Sequence, residues 1–187
     1  MIYEYLKKNT SLTSEQVAEF DSKMTSKSAE AGDYVIREGE VCRKIYFLEE
    51  GCMSMVYERD NKSFIKDFIF ENSFASVYES FITGEPARYS LKAITPCKFQ
   101  SIALHDLEKA YQNIPQLRVL AAKQTEAAYL NITRRMESLI TLSAEQRYLE
   151  LLERRPRLLT EIPLYLIASY LGITDVALSR IRKNIVS

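Results

Sequence analysis

The spacing of apolar residues changes character twice along this chain. Val17, Phe20 and Met24 recur at helical intervals, and the spacing predicts a helix over residues 14–26. From Ala31 the texture shortens to runs of Ile, Val, Phe and Tyr separated by Gly, Asp or Asn. These runs predict strands at 33–37, 44–48, 53–58, 64–70, 89–94 and 99–104. Turn signals stand between them: Glu38-Gly39-Glu40, Glu49-Glu50-Gly51, a hairpin tip over residues 59–62, and Thr95-Pro96. Strands this short and evenly spaced predict an antiparallel barrel or jelly roll rather than a parallel sheet.

After Ala103 the period becomes helical. Leu107, Ala110 and Tyr111 predict a short helix, and Pro115 suits the first turn of a longer one. The stretch 115–142 holds no glycine and no further proline. Its apolar stripe runs through Leu117, Ala121, Ala128, Ile132, Met136 and Leu139. A helix of this length is about 40 Å long and would overhang a domain of about a hundred residues. With small residues at Ala121, Ala127 and Ala128 it suits pairing with a second copy of itself. Ser143-Ala144-Glu145-Gln146 is a capping box that opens the next helix, which ends before Pro156. The chain therefore divides into a strand-rich segment at 1–114, a long helix suited to dimerisation at 115–141 and a third segment at 142–187.

That last segment carries the densest signal. Pro163 suits a first helical turn, Leu166, Ile167 and Tyr170 or Leu171 form an apolar face, and Gly172 reads as a left-handed stop. Thr174 is a good N-cap, and Asp175 complements the positive end of the helix it opens. Leu178 and Ile181 then face inward, while Ser179, Arg180, Arg182 and Lys183 lie on or beside the outer side. Two helices joined by a short glycine turn, the second one basic, describe a helix-turn-helix. Arginine can reach guanine with two parallel bonds, and Ser or Lys can contact bases or phosphates. An ordinary helical hairpin fits the spacing alone equally well.

Composition narrows the classes. The chain has 187 residues, 47% apolar and 27% charged, with zero net charge, so no global field favours a polyanion. From Thr133 onward nine Lys/Arg face six Asp/Glu, a local excess of three. No apolar stretch is long enough to span a bilayer, and the first residues lack a signal core, so a cytoplasmic protein without membrane partners is expected. Cys42, Cys52 and Cys97 are scattered without a CxxC pair, which argues against a disulfide framework, structural zinc or an iron–sulfur cluster. His105 is the single histidine and sits at a helix start. No nucleophile–base pair or phosphate-cradling glycine loop is visible, so no catalytic residue, metal or cofactor is assigned and an enzyme is not expected.

With both halves in view, the chain resembles the Crp/Fnr family of transcription regulators. The likeness rests on Ala31-Gly-Asp-Tyr-Val-Ile-Arg-Glu-Gly39, Ile45-Tyr-Phe-Leu-Glu-Glu-Gly51, and Leu107-Glu-Lys-Ala-Tyr-Gln-Asn-Ile-Pro-Gln-Leu117. Its closest part is Leu166-Ile-Ala-Ser-Tyr-Leu-Gly-Ile-Thr174 followed by Leu178-Ser-Arg-Ile-Arg182. It implies an α+β fold with an N-terminal antiparallel β-roll, a long dimerisation helix and a C-terminal winged helix-turn-helix. It also implies a homodimer through 115–141 that binds double-stranded DNA, with RNA polymerase as a further partner. The implied DNA-contacting residues are Thr174, Asp175, Val176, Ser179, Arg180 and Lys183, with Arg180 at the position of the family's later base-reading arginine. Asp175-Val176 stands where other members carry Arg-Glu, so the operator should differ.

The resemblance weakens at the effector pocket. Members that bind cyclic AMP carry Gly-Glu for the ribose and, about ten residues later, Arg-Ser for the cyclic phosphate. Here those pairs fall on Ser76-Val77 and Ala87-Arg88. A one-residue slip brings in Arg88 with Tyr89 in place of serine, leaving Glu79 as the nearest ribose carboxylate. Cyclic AMP is therefore disfavoured as the effector. Two other readings stand beside this one: a cyclic-nucleotide-responsive regulator using Arg88 with an unconventional ribose partner, and a dimeric protein-interaction module without DNA binding.

Overall fold

The computed structural model describes residues 2–60 and 62–186. The chain forms two compact units. The first comprises the chain up to Tyr57 together with Asp67–Glu126, and the second comprises Glu58–Lys66 and the chain from Ala127 onward.

Along the chain, α1 (Ile2–Asn9) and α2 (Ser14–Asp21) precede β1 (Thr25–Ala29), β2 (Tyr34–Ile36), β3 (Lys44–Glu50), β4 (Cys52–Arg59), β5 (Lys62–Phe70) and β6 (Ser73–Ala75). A short helix α3 (Tyr78–Thr83) leads to β7 (Ser90–Ala93) and β8 (Cys97–Ala103), then α4 (Leu104–Asn113) and the start of α5 (Gln116–Thr141). The strands build two four-stranded sheets, ordered β1-β8-β3-β6 and β2-β7-β4-β5. This is the expected double-sheet roll.

Several elements depart from the sequence expectation. The helix predicted over 14–26 stops at Asp21, because Ser22 caps it and Thr25 already pairs with Ser101 of β8. Met24 therefore lies off the helix. β1 reads Thr-Ser-Lys-Ser-Ala and is mostly exposed; as an edge strand it is held by main-chain bonds and needs no apolar alternation. α1, α3, β6 and α7 (Pro156–Glu161) were not anticipated. Asn61, in the expected hairpin tip, lies outside the described residues.

The core explains why the roll closes. Phe47, Leu48, Met53 and Leu91 are fully buried between the sheets and the helices laid over them. Ile2 and Leu6 put one face of α1 into this core, and the Tyr5 ring stands 5.1 Å from Phe47 and 5.7 Å from Phe74. Gly51 closes the β3–β4 turn at φ +93°, where a Cβ would lie 2.3 Å from the Pro96 carbonyl oxygen. Only glycine allows that approach of two turns.

The second unit is helical apart from its hairpin segment: the rest of α5, α6 (Ala144–Arg154), α7, α8 (Leu164–Leu171) and α9 (Asp175–Val186). The capping box forms as expected. The Gln146 N–H donates to Ser143 Oγ at 3.2 Å, and the Ser143 N–H donates to Gln146 Oε1 at 2.8 Å. Tyr148, Leu151, Leu158, Ile162, Leu166, Ile167, Leu171 and Leu178 supply the buried apolar groups. Among the described residues no strand follows β8, and α9 runs to Val186.

Candidate nucleic-acid interface

The turn between α8 and α9 is built from local chemistry. Gly172 adopts φ +69° and ψ 34°, with its N–H on Ser169 O at 3.1 Å, while the Ile173 N–H reaches Ala168 O at 3.0 Å. This pair of bonds closes the orphan carbonyls of α8 in a Schellman motif. Thr174 then caps α9, its hydroxyl accepting the Ala177 N–H at 3.2 Å. Pro163 sits at the N-cap of α8, one position before the first turn where it was expected. The two helices bend by 96°, within the range of helix-turn-helix pairs.

Burial orients α9. Leu178 is 1% exposed, and Ala177, Ile181 and Ile185 are half-buried along the same side. Thr174, Asp175, Val176, Ser179, Arg180, Arg182 and Lys183 are all exposed. The residues proposed from sequence for DNA contact therefore lie on the helix face that the second unit leaves open. Val176, 79% exposed, is an apolar group among them and could meet a thymine methyl. Arg180 has no ion-pair partner among the described residues, so its guanidinium is available to an incoming acceptor.

Two side chains that the sequence reading overlooked fix α8 from behind. Ser169 Oγ accepts the Ile65 N–H at 3.0 Å and donates to Ser63 O at 2.5 Å. Arg135 of α5 donates to Ile65 O at 3.2 Å and to Tyr170 O at 2.6 Å, with its guanidinium 3.7 Å from the Tyr170 ring centroid. The main chain at the start of β5 is thus held by side chains of α8 and α5. Arg147 adds bonds to Leu171 O at 3.0 Å and Leu142 O at 2.7 Å. A serine in a helix and two arginines carry no sequence signal that separates these roles from ordinary surface positions.

The stripe on α5 splits in two. Leu117 and Leu120 are buried in the first unit, whereas Tyr129, Leu130, Ile132, Met136, Leu139 and Ile140 are exposed. A run of apolar side chains this long on an exposed stretch of helix is costly in water.

The cassette region lies in the first unit. Glu79 opens α3, and its Oε1 stands 3.6 Å from Arg88 Nε, with both side chains largely exposed. Tyr89 points the other way: it is 3% exposed, its ring lies 5.4 Å from Tyr57, and burial pushes its hydroxyl well above the ordinary tyrosine range. The cassette serines are engaged with the preceding loop. Ser80 Oγ accepts the Cys42 N–H at 2.9 Å, Ser76 Oγ donates to Lys44 O at 3.1 Å, and Ser90 Oγ accepts the Glu38 N–H at 3.0 Å. The structure thus brings Glu79 to Arg88 and buries Tyr89, with the Glu79 carboxylate still adding to the upward shift of the Tyr89 hydroxyl. The three cysteines are buried, and no cluster of His, Cys, Asp and Glu that could hold a metal occurs among the described residues. No single helix among the described residues is long and apolar enough to cross a membrane.

Residues 26–113 match the cyclic nucleotide-binding domain family. Among curated proteins, potassium/sodium hyperpolarization-activated cyclic nucleotide-gated channel 4 of Oryctolagus cuniculus is 24% identical over 87 residues, covering 46% of this chain and 7% of the channel. The chain therefore spans less than a tenth of that relative's length. Among solved structures, the c-di-GMP responsive global regulator CLP of Xanthomonas campestris superposes with TM-score 0.74 at 18% identity, covering 92% of this chain and 91% of its own. FixK2 of Bradyrhizobium japonicum gives TM-score 0.75 at 20% identity, covering 87% and 84%. At these identities the superpositions show a shared fold.

Proposed function

We propose that this chain, a β-roll of cyclic nucleotide-binding type joined to a helix-turn-helix in the Crp/Fnr arrangement, is a homodimeric, sequence-reading transcription regulator. Its two copies pair through residues 115–141 and bind double-stranded DNA in the cytoplasm, with RNA polymerase as a further partner. The observation that carries the reading is the α8–α9 pair. It is bent by 96°, capped at Gly172 and Thr174, and presents Ser179, Arg180, Arg182 and Lys183 on its open face. In this reading α9 enters the major groove, Arg180 reads a base edge, and Thr174, Ser179 and Lys183 contact phosphate or base with Asp175 and Val176 beside them.

Selection of bound sequences from a random duplex pool, followed by a mobility shift, tests it. A two-fold site is expected, with half-sites about one helical turn apart. Binding should weaken steeply as salt rises, because each neutralised phosphate releases counterions. Arg180→Ala is expected to cost about 1–3 kcal/mol on the selected site and to relax preference at one position of each half-site. Equal affinity of the variant for that site would remove Arg180 from base reading. Failure to retain any duplex, with a peptide or protein retained instead, would favour the interaction-module reading.

The match over residues 26–113 favours a second reading, in which the roll answers to a cyclic nucleotide. The cassette supports the opposite. The Glu79 carboxylate beside Arg88 opposes an incoming cyclic phosphate with its own charge. Calorimetric titration with cyclic AMP is expected to give no saturable heat at micromolar concentrations. A micromolar constant lost in Arg88→Gln would establish the second reading.

A further inference from the structure

Another concentration of charge lies in the first unit, outside the cassette. Strand register sets Lys27 of β1 opposite Phe99 of β8, and Phe99 opposite Leu48 of β3. Side chains alternate along a strand, so Lys44 and Tyr46 share the face that carries Leu48, Phe99 and Lys27. Tyr46, Leu48 and Phe99 are core on that face, which leaves two lysines standing at its rim. An inward lysine on an edge strand deters edge-to-edge pairing, and β1 is such a strand. That explanation does not reach Lys44, because β3 is paired on one side by β8 and on the other by β6.

Arg37, just beyond β2 of the opposite sheet, and Arg43, in the loop before β3, complete the rim. With Lys27, Lys44, Tyr34 and Tyr46 they line a cavity of about 530 Å³ whose single lining carboxylate is Asp33. Asp33 Oδ2 already accepts the Glu30 N–H at 2.9 Å, and the nearby Glu40 accepts the Arg37 N–H at 2.8 Å. Lys27, Arg37, Arg43 and Lys44 have no ion-pair partner among the described residues. The Arg37 guanidinium is instead held 3.9 Å over the Tyr34 ring. In a chain of zero net charge, four cations around one cavity, facing a single lining carboxylate, are an arrangement that electrostatics opposes unless an anion enters. The floor offers a matching donor. Tyr46 is 4% exposed, and its hydroxyl has no hydrogen-bond partner among the described residues. Burial holds that hydroxyl far above the usual tyrosine range, with Cys42 and Glu40 adding to the effect, so it stays protonated and able to donate.

We infer that this cavity binds a small polyanion of nucleotide size through phosphate or carboxylate groups, with Lys27, Arg37, Arg43 and Lys44 on its charge and the Tyr46 hydroxyl beneath it. The volume falls within the roughly 300–1,000 Å³ of ordinary small-molecule sites. None of the cavity's lining residues belongs to the stretch 72–90, so the site is separate from the cassette.

Calorimetry of the full chain with pyrophosphate, tripolyphosphate and citrate tests the inference, the comparison separating phosphate from carboxylate recognition. One saturable site per chain is expected for at least one of these anions. Its affinity should fall about tenfold or more in Arg43→Gln/Lys44→Gln and about threefold in Tyr46→Phe, with Arg88→Gln unchanged. Lys27→Gln, on an exposed edge strand, provides the same reading should the double variant fail to fold. No saturable binding of any of the three anions would overturn the site, as would a loss in Arg88→Gln equal to that in the double variant. So would a double variant that loses duplex DNA affinity while its anion heats stay unchanged, since the groove would then serve the polymer.

Discussion

Glutamate at both Met136 and Ile140 is expected to turn the protein into a monomer and to weaken its binding to a two-fold DNA site by about a hundredfold or more. Both side chains are already open to solvent, at 55% and 75% exposure, so the substitutions leave the fold of the single chain intact. In a paired helix they would put four carboxylates into one apolar seam, where each loses hydration without a compensating cation. Once the dimer is lost, the second half-site no longer benefits from the first, and the tethering advantage, about 10²–10⁴ for linked sites, disappears. Sedimentation equilibrium reads the mass, and a mobility shift on one-half and two-half sites reads the consequence. A variant that stays dimeric would move the association surface away from this stretch of α5.

Phe47→Ala is expected to destabilise the first unit by about 3–5 kcal/mol, the usual cost of emptying an aromatic site in a core. Phe47 is 0% exposed on β3, which is paired on both sides, and its ring stands 5.1 Å from both Tyr5 and Phe74. The cavity would open between a sheet and α1, and α1 has few other anchors besides Ile2, Leu6 and Tyr5 with which to follow it inward. Urea unfolding followed by tyrosine fluorescence measures the loss, with the first transition assigned separately because two units need not unfold together. A change below about 1 kcal/mol would mean that α1 collapses onto the gap.

Much of this architecture is readable from residue order because its determinants are local. The strands from Tyr34 to Phe70 announce themselves through alternation, and the α8–α9 turn through Gly172 and Thr174, whose conformations need only neighbours a few residues away. The features that escape are those fixed by partners distant in sequence. β1 is polar, and what makes it a strand is the edge of β8 some seventy residues later. The groove cations come from β1, the end of β2 and the start of β3. Each reads as ordinary surface charge until register places them together. At the cassette, sequence identifies Arg88 and Glu79 as nearby charges, but only the fold shows them facing each other with Tyr89 turned inside.

The clasp of Ser169 on the start of β5 bears on how the chain reaches this state. Its two bonds close loops of 104 and 106 residues, among the longest-range contacts in the molecule. The segment Glu58–Lys66 leaves the ribosome long before α8 does, so it must wait, exposed, until the last helices arrive. Such closures are entropically late events and slow the approach to the native state. A fragment beginning at Ala127 would contain every turn and cap of the helix-turn-helix. It would still leave the Ser169 hydroxyl and one face of Arg135 without the strand that answers them. Autonomy of the C-terminal helices is therefore lost to a short stretch of backbone translated some hundred residues earlier.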